Sequence, residues 1–215
     1  MRKIFDMKIF KNRLDAGKAL ANKLLQYKDN PETIVLACRK AGLPVAYEVS
    51  NRLRIKLEIF LLSNIKAQQK KSIAIGTVAS GGIEVLNEGI IKSLKIPREQ
   101  LGVNILVEKK RLMKRQLGLR GERPYPNLAN RTLILVDDGV GGPAKIRATV
   151  SALKKVIPKR IIFAVPIITS QVKSEIRGEV DQLVTIAISD SLSHISESYE
   201  NYSRIADHKV RMFLS

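Results

Sequence analysis

Tryptophan is absent from this chain of 215 residues, and aromatic residues of all kinds make up only 5% of it. The core must therefore be aliphatic, built from Ile, Val, Leu and Ala. A single cysteine, Cys38, excludes an intramolecular disulfide and suits a reducing compartment. It reads as a small buried hydrophobe at a strand end rather than a nucleophile. Only two histidines occur, His194 and His208. They lack metal-ligand spacing with each other or with Cys38, so structural roles are expected for both. Ser193-His194 beside Asp190 is too local for a catalytic triad. No stretch of 18 apolar residues is present, which excludes a transmembrane helix by hydropathy. The opening MRKIFDMKIFKNR is basic and lacks the apolar middle and cleavage site of a secretory signal, so a cytoplasmic protein is expected. Acidic residues are scarce as well. There are 20 Asp+Glu against 38 Lys+Arg, a net charge of +18. Such an excess points to anionic partners: phosphorylated metabolites, nucleic acid or an acidic surface. The plain alternative is a solvated basic surface with no specific polyanion partner.

What is present is a 45% hydrophobic composition and an alternation of two patterns. Short apolar runs bounded by turns read as buried strands: 33–38, 57–63, 132–138, 160–167 and 182–188. Between them lie helical patterns. In 13–26 the expected inner face carries Leu14, Ala21, Leu24 and Leu25; in 146–155 it carries Ile146, Val150 and Leu153. Further helices are expected over 45–53, within 88–117, over 170–178 and from about 207. The stretch 72–87 has two β-rich pieces around Ser80-Gly81-Gly82 and predicts a hairpin. Strands separated by helices imply βαβ units and a mainly parallel sheet. With no internal repeat or low-complexity linker, the chain reads as one α/β domain over 1–215. Residues 68–130 are set apart as a hood or flap with a basic helical insertion.

Chemistry concentrates at ILVDDGVGGPAKIRATV. A strand ends in Asp137-Asp138, and a glycine-rich turn leads into a helix. Ligands of open α/β sheets bind at such strand ends, and backbone N–H groups of the turn and helix start can hold an anion. A Walker A loop is excluded, because Lys145 is followed by Ile146 and the glycines are misplaced. Gly139, Gly141 and Ala144 match a dinucleotide fingerprint superficially. The next strand, however, ends in Val165-Pro166-Ile167 rather than an acidic residue, and two carboxylates would repel a pyrophosphate beside them. Ionised aspartates are instead acceptors for the hydroxyls of a sugar. This suggests a ribose on the acid pair and a 5′-phosphate in the loop beyond it.

That order of elements resembles the phosphoribosyl-pyrophosphate signature of type I phosphoribosyltransferases. RLDAGKALA, LACRKAGLPVAYEV, IGTVASGGIEVLN, ILVDDGV and SYENYSRIAD are similar, in order, to the branch of predicted, uncharacterised members. The resemblance implies a type I phosphoribosyltransferase-like fold, with a central, mainly parallel sheet flanked by helices and a small hairpin hood. It implies that Asp137 and Asp138 hold the ribose. It implies a 5′-phosphate loop of Gly139, Val140, Gly141, Gly142, Ala144 and Lys145, and a pyrophosphate loop of Arg39, Lys40, Ala41 and Gly42. Mg²⁺ is implied between substrate oxygens, partly through water and without a direct protein ligand. A homodimer is common in the family. The implied chemistry displaces pyrophosphate from the ribose by a nitrogen nucleophile of unspecified identity.

The chain also departs from the family pattern. Relatives commonly carry two threonines and a glycine in the phosphate loop where this chain has Gly142, Lys145 and Pro143. Proline removes a donor and fixes φ, and each lost hydrogen bond to a charged phosphate costs about 1.5–3 kcal/mol. After the second strand an Arg-Lys pair of relatives is replaced by Ser63-Asn64, with Lys66, Lys70 and Lys71 further on. Two classes therefore stand open. One is a Mg²⁺-dependent phosphoribosyltransferase binding phosphoribosyl pyrophosphate or a nucleoside monophosphate. The other is a catalytically degenerate, nucleotide-responsive regulator that binds nucleic acid. The basic stretch 108–131 bears on the choice. On a helix Arg111 and Arg115 share one face, and Lys110 and Lys114 another. Such stripes can track phosphates or border a site that wants anions. Tyr125 is its lone aromatic residue. Tyr199-Glu200-Asn201-Tyr202 is expected either to wall a base site or to dock the tail.

Overall fold

The computed structural model describes residues 9–67, 73–190 and 194–214. Most of the basic N-terminus (residues 1–8), Lys70, Lys71, Ser72 and Ser193 lie outside the described residues. In chain order the main elements are α1 (Arg13–Asn22), β1 (Thr33–Ala37), α2 (Leu43–Leu53), β2 (Lys56–Ile59), β3 (Leu62–Lys66), β4 (Ala74–Ala79), β5 (Ile83–Leu86), α3 (Glu88–Ser93), α4 (Arg98–Arg120), β6 (Thr132–Val136), α5 (Ala144–Lys154), β7 (Arg160–Thr169), α6 (Ser170–Ile176), β8 (Gln182–Ser189) and α7 (Asp207–Leu214).

Five strands form a parallel sheet in the order β2-β1-β6-β7-β8. TIVLA and TLILV are buried at every position, as central parallel strands covered on both faces must be. One apolar cluster gathers Leu20, Val45, Val49 and Leu53 from α1 and α2. The other gathers Ile146, Val150, Leu153, Val172 and Ile176 from α5 and α6. Helices α1 and α2 cross closely at Gly17, where a Cβ would lie 2.7 Å from Glu48 Cβ. The strand order reverses between β1 and β6, and at such a switch point the two following loops diverge to leave a crevice. Register pairs Ala37 with Val136, so Cys38-Arg39 and Asp137-Asp138 leave the sheet side by side.

β3, β4 and β5 form a separate antiparallel sheet. The expected hairpin is there, and its turn uses Gly81 and Gly82 at φ 79° and 78°, a region open to glycine. The expected single strand over 57–63 is instead two strands in two sheets. Phe60 N–H still bonds Ala37 C=O at 2.8 Å, whereas Leu61 N–H donates to Ser80 Oγ at 2.9 Å. Phe60 and Leu61 are both buried, so the apolar run continues through the change of sheet and periodicity does not mark it. The inner face of α1 is also shifted. Ala16, Gly17, Leu20 and Ala21 are buried, Leu24 beyond the helix is buried too, and Leu14 and Leu25 are exposed. Arg13 is buried with them for a reason given by the site. Among the described residues no helix is long and apolar enough to cross a membrane.

Candidate active site at the switch point

β6 carries its apolar run straight into two carboxylates that are almost fully enclosed, Asp137 at 3% and Asp138 at 0% exposure. Burying two anions is costly unless each is paired and hydrogen-bonded. Arg39 meets both. Its Nε donates to Asp137 Oδ2 at 2.8 Å and Oδ1 at 3.2 Å, and its Nη2 donates to Asp138 Oδ1 at 3.1 Å. Arg13 Nε donates to Asp138 Oδ2 at 2.8 Å, and Tyr202 Oη donates to the same oxygen at 2.8 Å. Tyr199 Oη donates to the Asp138 carbonyl. The Arg13 guanidinium lies 3.5 Å from the Tyr202 ring centroid, and its Nη1 donates to Ser203 C=O at 2.9 Å. Asp138 thus ties α1, the loop after β1 and the C-terminal segment to one point. Asp137 has Arg39 and the Asp138 N–H, the latter at 2.9 Å. Burial first, and the charge of Asp138 second, push Asp137 up to about 7 against the opposing pull of Arg39.

The loop after β1 reaches the acids because of Gly42. A Cβ there would lie 2.8 Å from Asp137 Cα and 2.9 Å from its Oδ1. Of the four residues expected to hold pyrophosphate, Arg39 is at the site but turned onto the acid pair. Lys40 is ion-paired with Asp207 at the start of α7. Ala41 is half-buried, and Gly42 is the spacer against Asp137. Cys38 is buried, and that burial pushes its thiol well up, which fits a packed residue and not a nucleophile.

The expected phosphate loop forms a cavity of about 320 Å³, lined by 139–146 with Arg39, Asp137 and Ile195. Val140 extends the sheet, its N–H bonding Ile167 C=O at 3.2 Å and its C=O accepting from Thr169 N–H at 3.3 Å. Gly139 lies so near Ile195 that a Cβ would be 2.7 Å from its Cγ2. Pro143 is the residue before α5, with φ −80° and ψ −24°. Its ring suits that φ, and the N–H groups of the first helical turn lack intrahelical acceptors in any helix. The fixed φ of proline is therefore unstrained here, and what the residue removes is one N–H donor.

A second cavity of about 580 Å³ opens on the other side of Asp137. Arg39, Asp137, Lys145 and Ile146 line both spaces. Its far wall is β3 and α4, contributing Ser63, Asn64, Lys66, Glu108, Arg111 and Arg115. Glu108 is buried and fixed from two sides: Ser63 Oγ donates to Oε2 at 2.7 Å, and Arg111 Nη1 donates to Oε1 at 2.6 Å. The basic stretch is thus divided by the fold. All four of Lys110, Arg111, Lys114 and Arg115 are exposed, but only Arg111 and Arg115 border the cavity. Lys109 pairs with Glu84 at 2.5 Å, and Arg120 forms a buried pair with Glu58, also at 2.5 Å. Tyr125 Oη donates to Ile59 C=O at 3.3 Å, which fixes the stretch's lone aromatic ring within the fold.

Sequence reasoning missed Arg13 as a site residue. It left Tyr199 and Tyr202 between two roles, and the structure puts both hydroxyls on Asp138. The available signal was the RLDAGKALA segment, but nothing local ties its arginine to an acid 125 positions away. His194 is exposed and lies 3.5 Å from Glu197. Among the described residues no group of three or more His, Cys, Asp or Glu is placed to hold a metal ion.

Known proteins are similar to this chain over most of its length. The family model for the phosphoribosyl transferase domain matches residues 7–201. A Mycobacterium tuberculosis protein named "Putative phosphoribosyl transferase Rv0571c" is 27% identical over 212 residues, and its counterpart in strain CDC 1551 matches equally. The alignment covers 97% of this chain and 47% of each relative, so the chain spans about half the length of the curated relatives it matches. The crystal structure of TT1426 from Thermus thermophilus superposes with a TM-score of 0.80 at 26% identity, covering 95% of this chain and 97% of that one.

Proposed function

The chain belongs to the phosphoribosyl transferase domain family, and from that premise we propose that it binds phosphoribosyl pyrophosphate at the switch point and transfers the phosphoribosyl group to a nitrogenous acceptor. The observation that carries this reading is the placement of Asp137. It is the carboxylate that lines both cavities, with a glycine-rich loop and a helix start on one side and a cationic wall on the other. A ribose there has its 5′-phosphate in the loop 139–145 and its hydroxyls on Asp137. The nucleophile's lone pair forms the new C1–N bond, the C1–O pair leaves with pyrophosphate, and the nitrogen releases its proton. The developing positive charge on the ring lies beside a carboxylate, a form of preorganised electrostatic stabilisation.

Arg39 occupies the acid pair in the free protein, so ribose hydroxyls exchange with its guanidinium on Asp137. Gly42 keeps the Arg39 loop near enough for that exchange. Asp138 is held by Arg13 and Tyr202 and acts as the anchor for the site. Mg²⁺ bound with the substrate would neutralise diphosphate charge. The donors here fit a hydrated ion held mainly by substrate oxygens, with Asp137 placed to accept from its water. For the nucleic-acid-binding alternative the basic stretch divides: Arg111 and Arg115 border a cavity and Lys109 and Arg120 are ion-paired, while Lys110 and Lys114 stay exposed. A homodimer is the expected assembly. Exposed Val103, Leu106, Met113 and Leu117, spaced along one face of α4, support it, and sedimentation equilibrium tests it.

The test of the function is calorimetric titration of phosphoribosyl pyrophosphate with and without Mg²⁺, comparing wild type with Asp137→Asn. Mg²⁺-dependent binding that the variant loses is the expected result. No binding to wild type at millimolar ligand would sink the proposal.

A further inference from the structure

We propose that α4 builds the diphosphate end of this site, with Arg111 and Arg115, together with Lys66 of β3, holding the leaving pyrophosphate in the larger cavity. The inference rests on the phosphoribosyl-transfer reading given above. The substrate of that reading has a phosphate at one end of a sugar and a more highly charged diphosphate at the other. The structure has a matching asymmetry about Asp137. The smaller cavity offers a loop and a helix start. The larger one is lined by five cations, Arg39, Lys66, Arg111, Arg115 and Lys145, against two carboxylates, Glu108 and Asp137.

The five are not equally dedicated to a diphosphate. Arg39 is held on the acid pair in the free protein and leaves Asp137 only as ribose hydroxyls replace it, and Lys145 stands at the junction, shared with the phosphate loop. The β3 positions nearest the sheet end, Ser63 and Asn64, are neutral. The remaining positive charge of the cavity comes from Lys66 and from α4. Ser63 is not idle, however. Through its bond to Glu108 it fixes the carboxylate that in turn tethers the solvent-exposed Arg111 guanidinium beside the cavity. A guanidinium held on one edge by a carboxylate keeps its other N–H groups for a second anion, and its planar fork suits phosphate oxygens. Arg115 lies one helical turn beyond Arg111 on the same wall. The buried Arg120–Glu58 pair anchors the C-terminal end of α4 at β2, which keeps the two arginines positioned over the strand ends.

The experiment compares three probes by calorimetry in Mg²⁺: inorganic pyrophosphate, phosphoribosyl pyrophosphate and ribose 5-phosphate. Wild type is set against Arg111→Gln, Arg115→Gln and the double variant, with the circular dichroism melt of each as a check on folding. Each substitution removes charge-assisted hydrogen bonds to phosphate, so affinity for pyrophosphate and phosphoribosyl pyrophosphate falls roughly 10- to 100-fold per arginine. Affinity for ribose 5-phosphate stays within about twofold, since the phosphate loop is untouched. Ser63→Ala keeps both arginines but frees Glu108, and gives a smaller loss on the same two probes. Unchanged pyrophosphate affinity in the double variant, or a parallel loss of ribose 5-phosphate, overturns the role of α4. A wild type that binds ribose 5-phosphate but neither diphosphate compound also overturns it. A wild type that binds none of the three refutes the transfer reading as well.

Discussion

Replacing Arg13 by Met removes the guanidinium from the buried acid cluster while keeping an unbranched chain over the Tyr202 ring. Arg13 and Asp138 side chains are 7% and 0% exposed, so this is a fully enclosed ion pair. Removing one partner of such a pair leaves an uncompensated buried charge and costs about 3–5 kcal/mol. Arg39 and Tyr202 still reach Asp138, which places the loss toward the lower end of that range. For a chain of this size, Arg13→Met lowers Tm by roughly 6–20 °C, at about 2–4 °C per kcal/mol. The assay is urea unfolding at pH 7.5, with thermal melts alongside. Tyr202→Phe is the comparison: it keeps the ring under Arg13 and deletes a hydrogen bond to a charged group, costing about 1.5–3 kcal/mol. Because both side chains bond the same oxygen, the double variant is non-additive. A loss below about 1 kcal/mol for Arg13→Met would refute the claim that Asp138 is the anchor of the site, since a cost that small is typical of exposed pairs.

Further consequences follow from single contacts. Gly42→Ala drives a Cβ against Asp137 backbone, which cannot yield as a side-chain tip would; stability falls by about 1–3 kcal/mol in urea unfolding, and calorimetry shows weaker phosphoribosyl pyrophosphate binding. Arg120→Met breaks the buried pair with Glu58 and costs about 3–5 kcal/mol, whereas Arg120→Met with Glu58→Gln recovers most of that loss; protease cleavage within α4 should follow the same order. Asp137 is raised above its ordinary value to about 7 by burial and by Asp138. In that window the folded protein holds a proton the unfolded chain has released, so its stability contribution is full below about pH 4 and is lost as pH rises toward 7. Urea midpoints across pH 4.5–8 therefore fall less in Asp137→Asn than in wild type.

The parallel sheet was legible because TIVLA, TLILV and RIIFAVPI have no polar interruptions and are too short, between their turns, for buried helices, which leaves strands covered on both faces. The strand end, glycine-rich turn and helix start expected to hold phosphate were legible as one local unit because they are contiguous from Asp137 to Lys145. Contacts between distant segments were not. Asp138 meets Arg13 and Tyr202 across 125 and 64 positions, and no local pattern encodes either meeting. The run 57–63 hid a change of sheet because burial continues through Phe60 and Leu61. The basic stretch could be placed on a helix from spacing alone. Which of its faces bordered a cavity depended on β3, whose Ser63 reads as a neutral loss until Glu108 and Arg111 are brought onto it.

A crystal structure of the complex with phosphoribosyl pyrophosphate and Mg²⁺ tests the central claim most directly. In that complex the 5′-phosphate lies within 139–145, the ribose hydroxyls lie on Asp137 with Arg39 displaced from it, and the diphosphate lies against Arg111 and Arg115. A ligand bound away from Asp137, or one that leaves Arg39 on both carboxylates, would contradict it.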